Sequence, residues 1–219
     1  PTAGSLQGVG KEGELSAFFL EKTRYGVAFA SPLLFFLMID GDLVLSLWMG
    51  DPYVHGQVIT ILAMGYFLPT SQNSVREILK GLNAHGKVGL LSCGISFGCF
   101  LVGYLLLNVI GWTLDGAAIV LSVSLAIGLG FTPAVYACRK LRVSYLRYLG
   151  HCILPPLICN VFFIACLLAG RKLFPDSAVM AGSVGGGTGM LLLITLYLWF
   201  LFPEKGSALC ARFHRKRGL

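Results

Sequence analysis

The sequence predicts an all-α fold, a polytopic membrane helical bundle of about six transmembrane helices. Of its 219 residues, 56% are hydrophobic and only 12% are charged, and the mean hydropathy is +0.77. Soluble domains carry about 25% charged residues, and a compact core cannot absorb this much apolar surface at this length. The apolar runs are continuous and about twenty residues long, which is what an α-helix needs to cross the hydrocarbon core of a bilayer.

The stretch 115–148 predicts the direction of the spans. About twenty residues without a charge follow Asp115, enough for one crossing. Four bases then end the stretch: Arg139, Lys140, Arg142 and Arg147. Because Lys and Arg stay on the cytoplasmic side, this span runs inward and the others alternate from it. Of the 17 Lys and Arg residues, only Arg171 and Lys172 then lie outside. We therefore predict a multi-pass protein of the cytoplasmic membrane, with both termini in the cytoplasm.

This topology divides the chain into three segments. Residues 1–24 are predicted to be a cytoplasmic or interfacial segment, residues 25–202 a six-helix transmembrane domain, and residues 203–219 a basic cytoplasmic tail. The predicted spans are 25–49, 58–79, 88–110, the apolar part of 115–148, 149–170 and 178–202. The chain begins with Pro1 rather than methionine, and we expect it to be a fragment or the trailing part of a longer protein.

Prolines and glycines predict how these spans bend and pack. Prolines inside four of the spans are expected to kink or break them, because proline lacks an N–H and clashes with the preceding turn; they are Pro32, Pro69, Pro133 and the pair Pro155–Pro156. Glycines along the third span predict close approach to a neighbouring helix; they are Gly89, Gly94, Gly98 and Gly103. The glycine-rich start of the sixth span, 182–189, predicts loose packing or a poorly formed first turn.

Two carboxylates interrupt the outer half of the first span. A charge inside a span costs about 2.5–3.5 kcal/mol on insertion scales, so Asp40 and Asp42 together require a reason. One interpretation is contact with a cation, a proton or a substrate in a water-filled cavity. The other is that Gly41 bends the helix and the carboxylates are hydrated near the outer surface. Asp40 and Asp42 are the candidate ion-coupling residues.

The second half of the second span is polar. Residues 70–74 read TSQNS, and Arg76 follows. Such a face cannot point at lipid, so we expect it to face other helices or a central cavity open to the cytoplasm. Arg76 is the candidate for an anionic group such as a phosphate, with Gln72 and Asn73 beside it as further substrate-binding candidates. The other interpretation is that Arg76 and Lys80 are ordinary charges at the cytoplasmic end of a helix.

Several function classes lack their sequence signatures. The chain has no phosphate-binding GK[ST] loop, no H-E-x-x-H motif, and no CxxC pair among its seven cysteines. We therefore predict that it is not an enzyme and uses no metal or cofactor. The net charge of +7 lies in the loops that flank the spans, so we predict no nucleic-acid partner. Kinked helices with polar faces in a bundle with a basic inner side are the profile of a secondary transporter.

Three motifs in order resemble a known family. They are LWMG at 47–50, ILKGL at 78–82 with Lys87 after it, and LLLNVIGWTLDGAAIVLSVS at 105–124. Together they are similar to the C-terminal half of polysaccharide-biosynthesis flippases. These are the O-antigen or lipid-linked oligosaccharide transporters of the multidrug/oligosaccharidyl-lipid/polysaccharide superfamily. The resemblance covers about residues 15–200 and rests on the order and spacing of the motifs, each of which is weak alone.

The resemblance implies a mechanism and a missing part. Members of that family have two pseudo-symmetric lobes, and the spans here match the second, so transport would require the missing N-terminal lobe or a partner chain. The substrate would be a polyprenyl-diphosphate-linked oligosaccharide, moved from a cationic cavity by alternating access coupled to protons or sodium.

Three other functions remain open. One is a drug/cation antiporter of the same superfamily. Another is a non-transporting membrane fragment or accessory subunit, whose partners would be membrane lipids and other helices. A membrane enzyme such as a glycan polymerase is the last; it would be expected to carry a large outer loop with Arg and His, and no predicted outer loop of this chain exceeds about ten residues.

Overall fold

The chain is a multi-pass helical membrane protein. A computed structural model describes residues 12–55 and 57–201, which form helices and no β-strand. Five helices in this part of the chain are long and apolar enough to cross a membrane: Gly13–Met49, His85–Ile110, Leu114–Lys140, Tyr145–Leu173 and Ala178–Leu201. The predicted all-α, polytopic fold is therefore confirmed. The predicted basic tail, 203–219, and residues 1–11 of the predicted N-terminal segment lie outside the described residues.

The described residues form seven helices, numbered in chain order. They are α1 (Glu12–Met49), α2 (Val58–Ser71), α3 (Asn73–Gly81), α4 (His85–Ile110), α5 (Leu114–Lys140), α6 (Tyr145–Leu173) and α7 (Ala178–Leu201). A short 3₁₀ turn, Asp51–Tyr53, follows α1. Three of the helices contain a π-helical turn: Ala126–Phe131 in α5, Leu149–Ile153 in α6 and Tyr197–Leu201 in α7. The helices form two compact units, which divide between Leu154 and Pro155.

In the first unit, α2 lies between two long helices. It packs against α1 on one side and against α5 on the other, and α5 also packs against α4. The π turn of α6 packs against α1. The main apolar cluster brings together the first turns of α1, the helix α3, the end of α5 and the start of α6. A smaller cluster of Ala30, Leu34 and Ala63 joins α1 to α2.

The first helix begins at Glu12, earlier than the predicted start of the first span at residue 25. Leu15 and Phe19 lie one turn apart on one face, and both are buried in the main cluster with Leu79 and Tyr148. Because these residues are buried against α3 and α6, the helix continues through the charged residues before residue 25. Those residues were predicted to form a separate segment.

The predicted second span forms two helices instead of one. Its first part, α2, has 14 residues, which cover about 21 Å at 1.5 Å per residue and fall short of the roughly 30 Å hydrocarbon core. The chain leaves helical geometry at Gln72 (φ −86°, ψ 5°), and α3 follows. Pro69, where we predicted the break, lies inside α2. The break comes at a side chain that is hydrogen-bonded to a distant helix, as described below.

The second unit is a close pair formed by the later part of α6 and α7. A Cβ on Gly185 would lie 2.9 Å from the carbonyl oxygen of Cys166, and a Cβ on Gly170 would lie 2.6 Å from that of Ala181. Ser177 caps the start of α7 by accepting a hydrogen bond from the Met180 amide. The expected loose packing at 182–189 is therefore wrong, because these glycines let two helix backbones touch.

Candidate functional site

The first candidate site is the kink in α1. Asp40 has non-helical angles (φ −110°, ψ 22°) inside an otherwise continuous helix. At the next residue, a Cβ on Gly41 would lie 2.6 Å from the Ile59 side chain, so α1 and α2 approach closely there. The hydroxyl of Thr60 donates to the carbonyl of Met38 at 3.0 Å and links α2 to α1 beside the kink. The bend predicted at Gly41 is thus present, one residue earlier.

The two carboxylates at this kink differ in exposure. Asp40 is only 3% exposed, which leaves little room for the hydration that the simpler interpretation requires. Asp42 is half-buried, and its Oδ1 atom is buried without a hydrogen bond from the described residues. Burying a carboxylate is costly unless it is paired or protonated. The kink therefore places two carboxylates within an otherwise apolar stretch of the helix.

The second candidate site is the break between α2 and α3, where Gln72, Asn73 and Arg76 were predicted to bind substrate. Gln72 is 1% exposed, and its Oε1 accepts a hydrogen bond of 2.7 Å from the hydroxyl of Tyr148. Asn73 is exposed, and its Oδ1 accepts a hydrogen bond from the Arg76 guanidinium. Arg76 and Asn73 therefore lie together, whereas Gln72 is turned away from them into the core.

The side chain of Arg76 also forms hydrogen bonds to the backbone of two helices. Its guanidinium donates to the carbonyl of Pro69 at 3.1 Å and to that of Leu129 at 3.4 Å. The carbonyl of Pro69 is among the last four of α2, which have no partner within a helix. The carbonyl of Leu129 is the one to which Pro133 would donate if proline had an N–H. The kink predicted at Pro133 thus takes the form of the π turn Ala126–Phe131, tied to Arg76.

The structure does not bring the two candidate sites together. Asp40 and Asp42 lie beside the first turn of α2, near Ile59 and Thr60, whereas Arg76 follows its last turn. The twelve residue steps from Thr60 to Gln72 span about 18 Å of helix. An ion at one site and an anionic substrate at the other would therefore be coupled only through α2 and its neighbours.

Sequence reasoning missed the partners that hold these sites. Tyr148 follows a basic stretch, and Thr60 lies in an apolar run. Neither sequence pattern indicates that the residue forms a hydrogen bond to another helix. Ser122 of α5 was missed as well, although its hydroxyl donates to the carbonyl of Ile61 at 2.9 Å. A lone hydroxyl in an apolar span is the only sequence signal for such contacts.

The second unit has a buried polar pair of its own. Asn160 is completely buried, and its Nδ2 donates to the hydroxyl of Tyr197 at 2.7 Å and to the carbonyl of Pro156 at 2.8 Å. The pair joins α6 to the π turn at the end of α7. In the described part of the chain, no group of three or more His, Cys, Asp or Glu side chains could hold a metal ion.

Comparisons with known proteins give no relative from which a function could be transferred. No family model matches the sequence, and neither a curated protein nor a solved structure does. The candidate sites therefore have to be interpreted from their own chemistry.

Proposed function

We propose that this chain is one lobe of a membrane transporter that moves a polyprenyl-diphosphate-linked oligosaccharide across the cytoplasmic membrane by ion-coupled alternating access. The observation that carries the proposal is Asp40, a carboxylate 3% exposed at a kink in a membrane-length apolar helix. Ionisable residues in such positions are expensive and mark ion or substrate pathways. The three motifs that resemble lipid-linked oligosaccharide flippases supply the substrate class.

In this proposal, the kink is the ion site. A proton or sodium ion would neutralise Asp40 or Asp42 and lower the cost of burying the carboxylates. Loading and release of the ion would change the packing of α1 on α2 at Gly41 and Ile59, where the two helices approach closely. Because α2 also packs on α5, a shift at this point is passed to the rest of the first unit.

The diphosphate would bind at Arg76. A guanidinium has five donors in a planar fork that suits phosphate oxygens, and the three hydrogen bonds to Pro69, Leu129 and Asn73 leave part of that fork available. Asn73 is exposed beside it. Gln72 has no part in this step, since its carbonyl oxygen is bound to Tyr148 in the core.

A drug/cation antiporter of the same superfamily is the second candidate, favoured by the same buried carboxylate. It needs an acidic cation site but no cationic substrate site. The two proposals therefore differ in Arg76, which only the oligosaccharide transporter requires for substrate binding.

The test begins with sequencing the DNA upstream of the Pro1 codon, to learn whether the reading frame continues into further spans. The complete protein is then reconstituted in vesicles with a fluorescent polyprenyl-diphosphate oligosaccharide, whose outward movement is followed by accessibility to a lectin. We expect movement of the oligosaccharide that depends on a proton or sodium gradient. In Asp40→Asn this movement should fall at least about 10-fold, because the carboxylate that the ion would neutralise is absent. Such a loss corresponds to about 1.4 kcal/mol. Glu14→Gln, which also removes a carboxylate from α1, is the control.

Ethidium efflux without oligosaccharide movement would instead support the antiporter. Absence of both activities would leave a non-transporting subunit and refute the proposal.

A further inference from the structure

A groove runs along the first unit between α4 and the second half of α5. Its volume is about 570 Å³. The residues that line it are Lys87, Leu90, Leu91, Gly94, Ile95 and Tyr136. A second apolar groove of about 540 Å³ continues along the same two helices and shares Ile95 with the first. The path is therefore apolar along its length and has one base at its end.

The floor of the groove is bare backbone at Gly94. A Cβ there would meet nothing within 4 Å, so the glycine serves no close helix contact in this chain. The predicted close packing of Gly94 against a neighbouring helix is therefore wrong, as it is for Gly89 and Gly98. Close packing was predicted for four glycines of this helix, and only Gly103 shows it, against Val120.

Positive charge collects at the Lys87 end of the groove. Arg139 and Lys140 lie one turn beyond Tyr136 on α5 and are exposed. The ammonium of Lys140 donates to the carbonyl of Leu82 at 3.2 Å, which holds the end of α5 against the turn that leads into α4. In the segments 73–90 and 132–148, Glu77 is the only acidic residue, and its carboxylate is paired with Lys80 at 2.6 Å.

We propose that this groove binds one anionic phospholipid of the bilayer, with an acyl chain over Gly94 and the phosphate between Lys87 and the bases that follow Tyr136. The dimensions agree, because the eight residue steps from Lys87 to Ile95 rise about 12 Å, close to the roughly 15 Å that one leaflet contributes to the hydrocarbon core. An apolar slot that ends in bases at the depth of the head groups complements a lipid in both shape and charge. The proposal does not depend on transport.

The experiment is native mass spectrometry of the purified full chain, released from detergent micelles that contain equal amounts of phosphatidylglycerol and phosphatidylcholine. We expect phosphatidylglycerol to remain bound in preference to phosphatidylcholine. Lys87→Gln should lower its retention about 5-fold, the effect of one base near a charged surface. Gly94→Leu should lower the retention as strongly by filling the slot, and its Cβ would meet no protein atom within 4 Å.

Two matched variants serve as controls. Gly89→Leu adds the same side chain to the same helix at a glycine that also meets nothing within 4 Å and lines neither groove. Lys172→Gln removes an exposed base at the far end of α6. Both should retain phosphatidylglycerol as the unchanged chain does. The melting temperature of Gly94→Leu should also match that of Gly89→Leu.

Three results would overturn the proposal. The first is equal retention of the two lipids by the unchanged chain, or retention of phosphatidylglycerol by Gly94→Leu at the same level as by the unchanged chain. The second is displacement of the bound lipid by glycerol phosphate at millimolar concentration, since the site would then recognise a soluble anion. The third is a dimer that Gly94→Leu converts to monomer without any loss of lipid, since the groove would then hold a helix of a second copy.

Discussion

Removing the hydroxyl of Tyr148 should destabilise the first unit by leaving a buried acceptor unsatisfied. Tyr148 is fully buried, and Oε1 of Gln72, its partner at 2.7 Å, belongs to a residue that is 1% exposed. A buried group that loses its partner costs about 1–3 kcal/mol, and hydrogen bonds between membrane helices reach about 1.7 kcal/mol. We therefore expect Tyr148→Phe to cost about 1–2 kcal/mol of unfolding free energy.

The assay is thermal unfolding in detergent micelles. For a chain of this length, 1 kcal/mol shifts the melting temperature by about 2–4 °C, so Tyr148→Phe should melt about 2–8 °C lower. Tyr145→Phe is the matched control. Tyr145 stacks on Tyr148 with ring centroids 5.8 Å apart, and its replacement keeps the ring, so its effect should stay within about 0.5 kcal/mol.

A double-mutant cycle isolates the hydrogen bond. Gln72→Leu alone leaves the Tyr148 hydroxyl without its acceptor, whereas the double variant replaces both partners by apolar groups, which is nearly neutral. The double variant should therefore be more stable than the sum of the single effects predicts, by about 1 kcal/mol. If the two single effects simply add, the Gln72–Tyr148 hydrogen bond contributes no coupling energy to the stability of the first unit, and the reasoning fails.

Two further predictions concern close contacts in the two units. Arg76→Ala should lower the unfolding free energy by about 2–3 kcal/mol, because it removes the charged donor from the carbonyls of Pro69 and Leu129; a melting temperature unchanged in micelles would show that these contacts are not stabilising. Gly185→Val should cost about 1–3 kcal/mol by overpacking, since its Cβ would lie 2.9 Å from the Cys166 carbonyl, whereas Gly187→Val, which meets nothing within 4 Å, should not. Equal melting temperatures for the two valine variants would contradict the packing of the second unit.

The break at Gln72 illustrates how far the candidate site could be predicted. The polar run 70–74 and Arg76 indicated that this part of the chain faces protein rather than lipid, and Ser71 and Gln72 are indeed buried. That Asn73 and Arg76 touch follows from their spacing of three residues on one helix. The orientation of Gln72 could not be predicted, because its partner Tyr148 is 76 residues away in the sequence.

The glycines also show which features the sequence could predict and which it could not. Gly94 and Gly185 both lie in uncharged spans of the sequence, yet Gly94 lies over an open groove and Gly185 touches the backbone of a neighbouring helix. A small residue permits close packing of helices but does not require it. Only the positions of the neighbouring helices decide whether the space above the glycine is filled.

The sequence by itself determined the membrane class, the helical fold and the approximate bounds of most spans. The reason is local, since a backbone in lipid must satisfy its own hydrogen bonds, and a continuous apolar run of sufficient length can do so only as a helix. The tertiary structure decided what happens where that local rule fails. Pro133 deprives the carbonyl of Leu129 of its helical donor, and the donor that reaches it, Arg76, lies 53 residues earlier in the chain. Which distant side chain meets a freed backbone group depends on how the helices pack, and no local pattern encodes that contact.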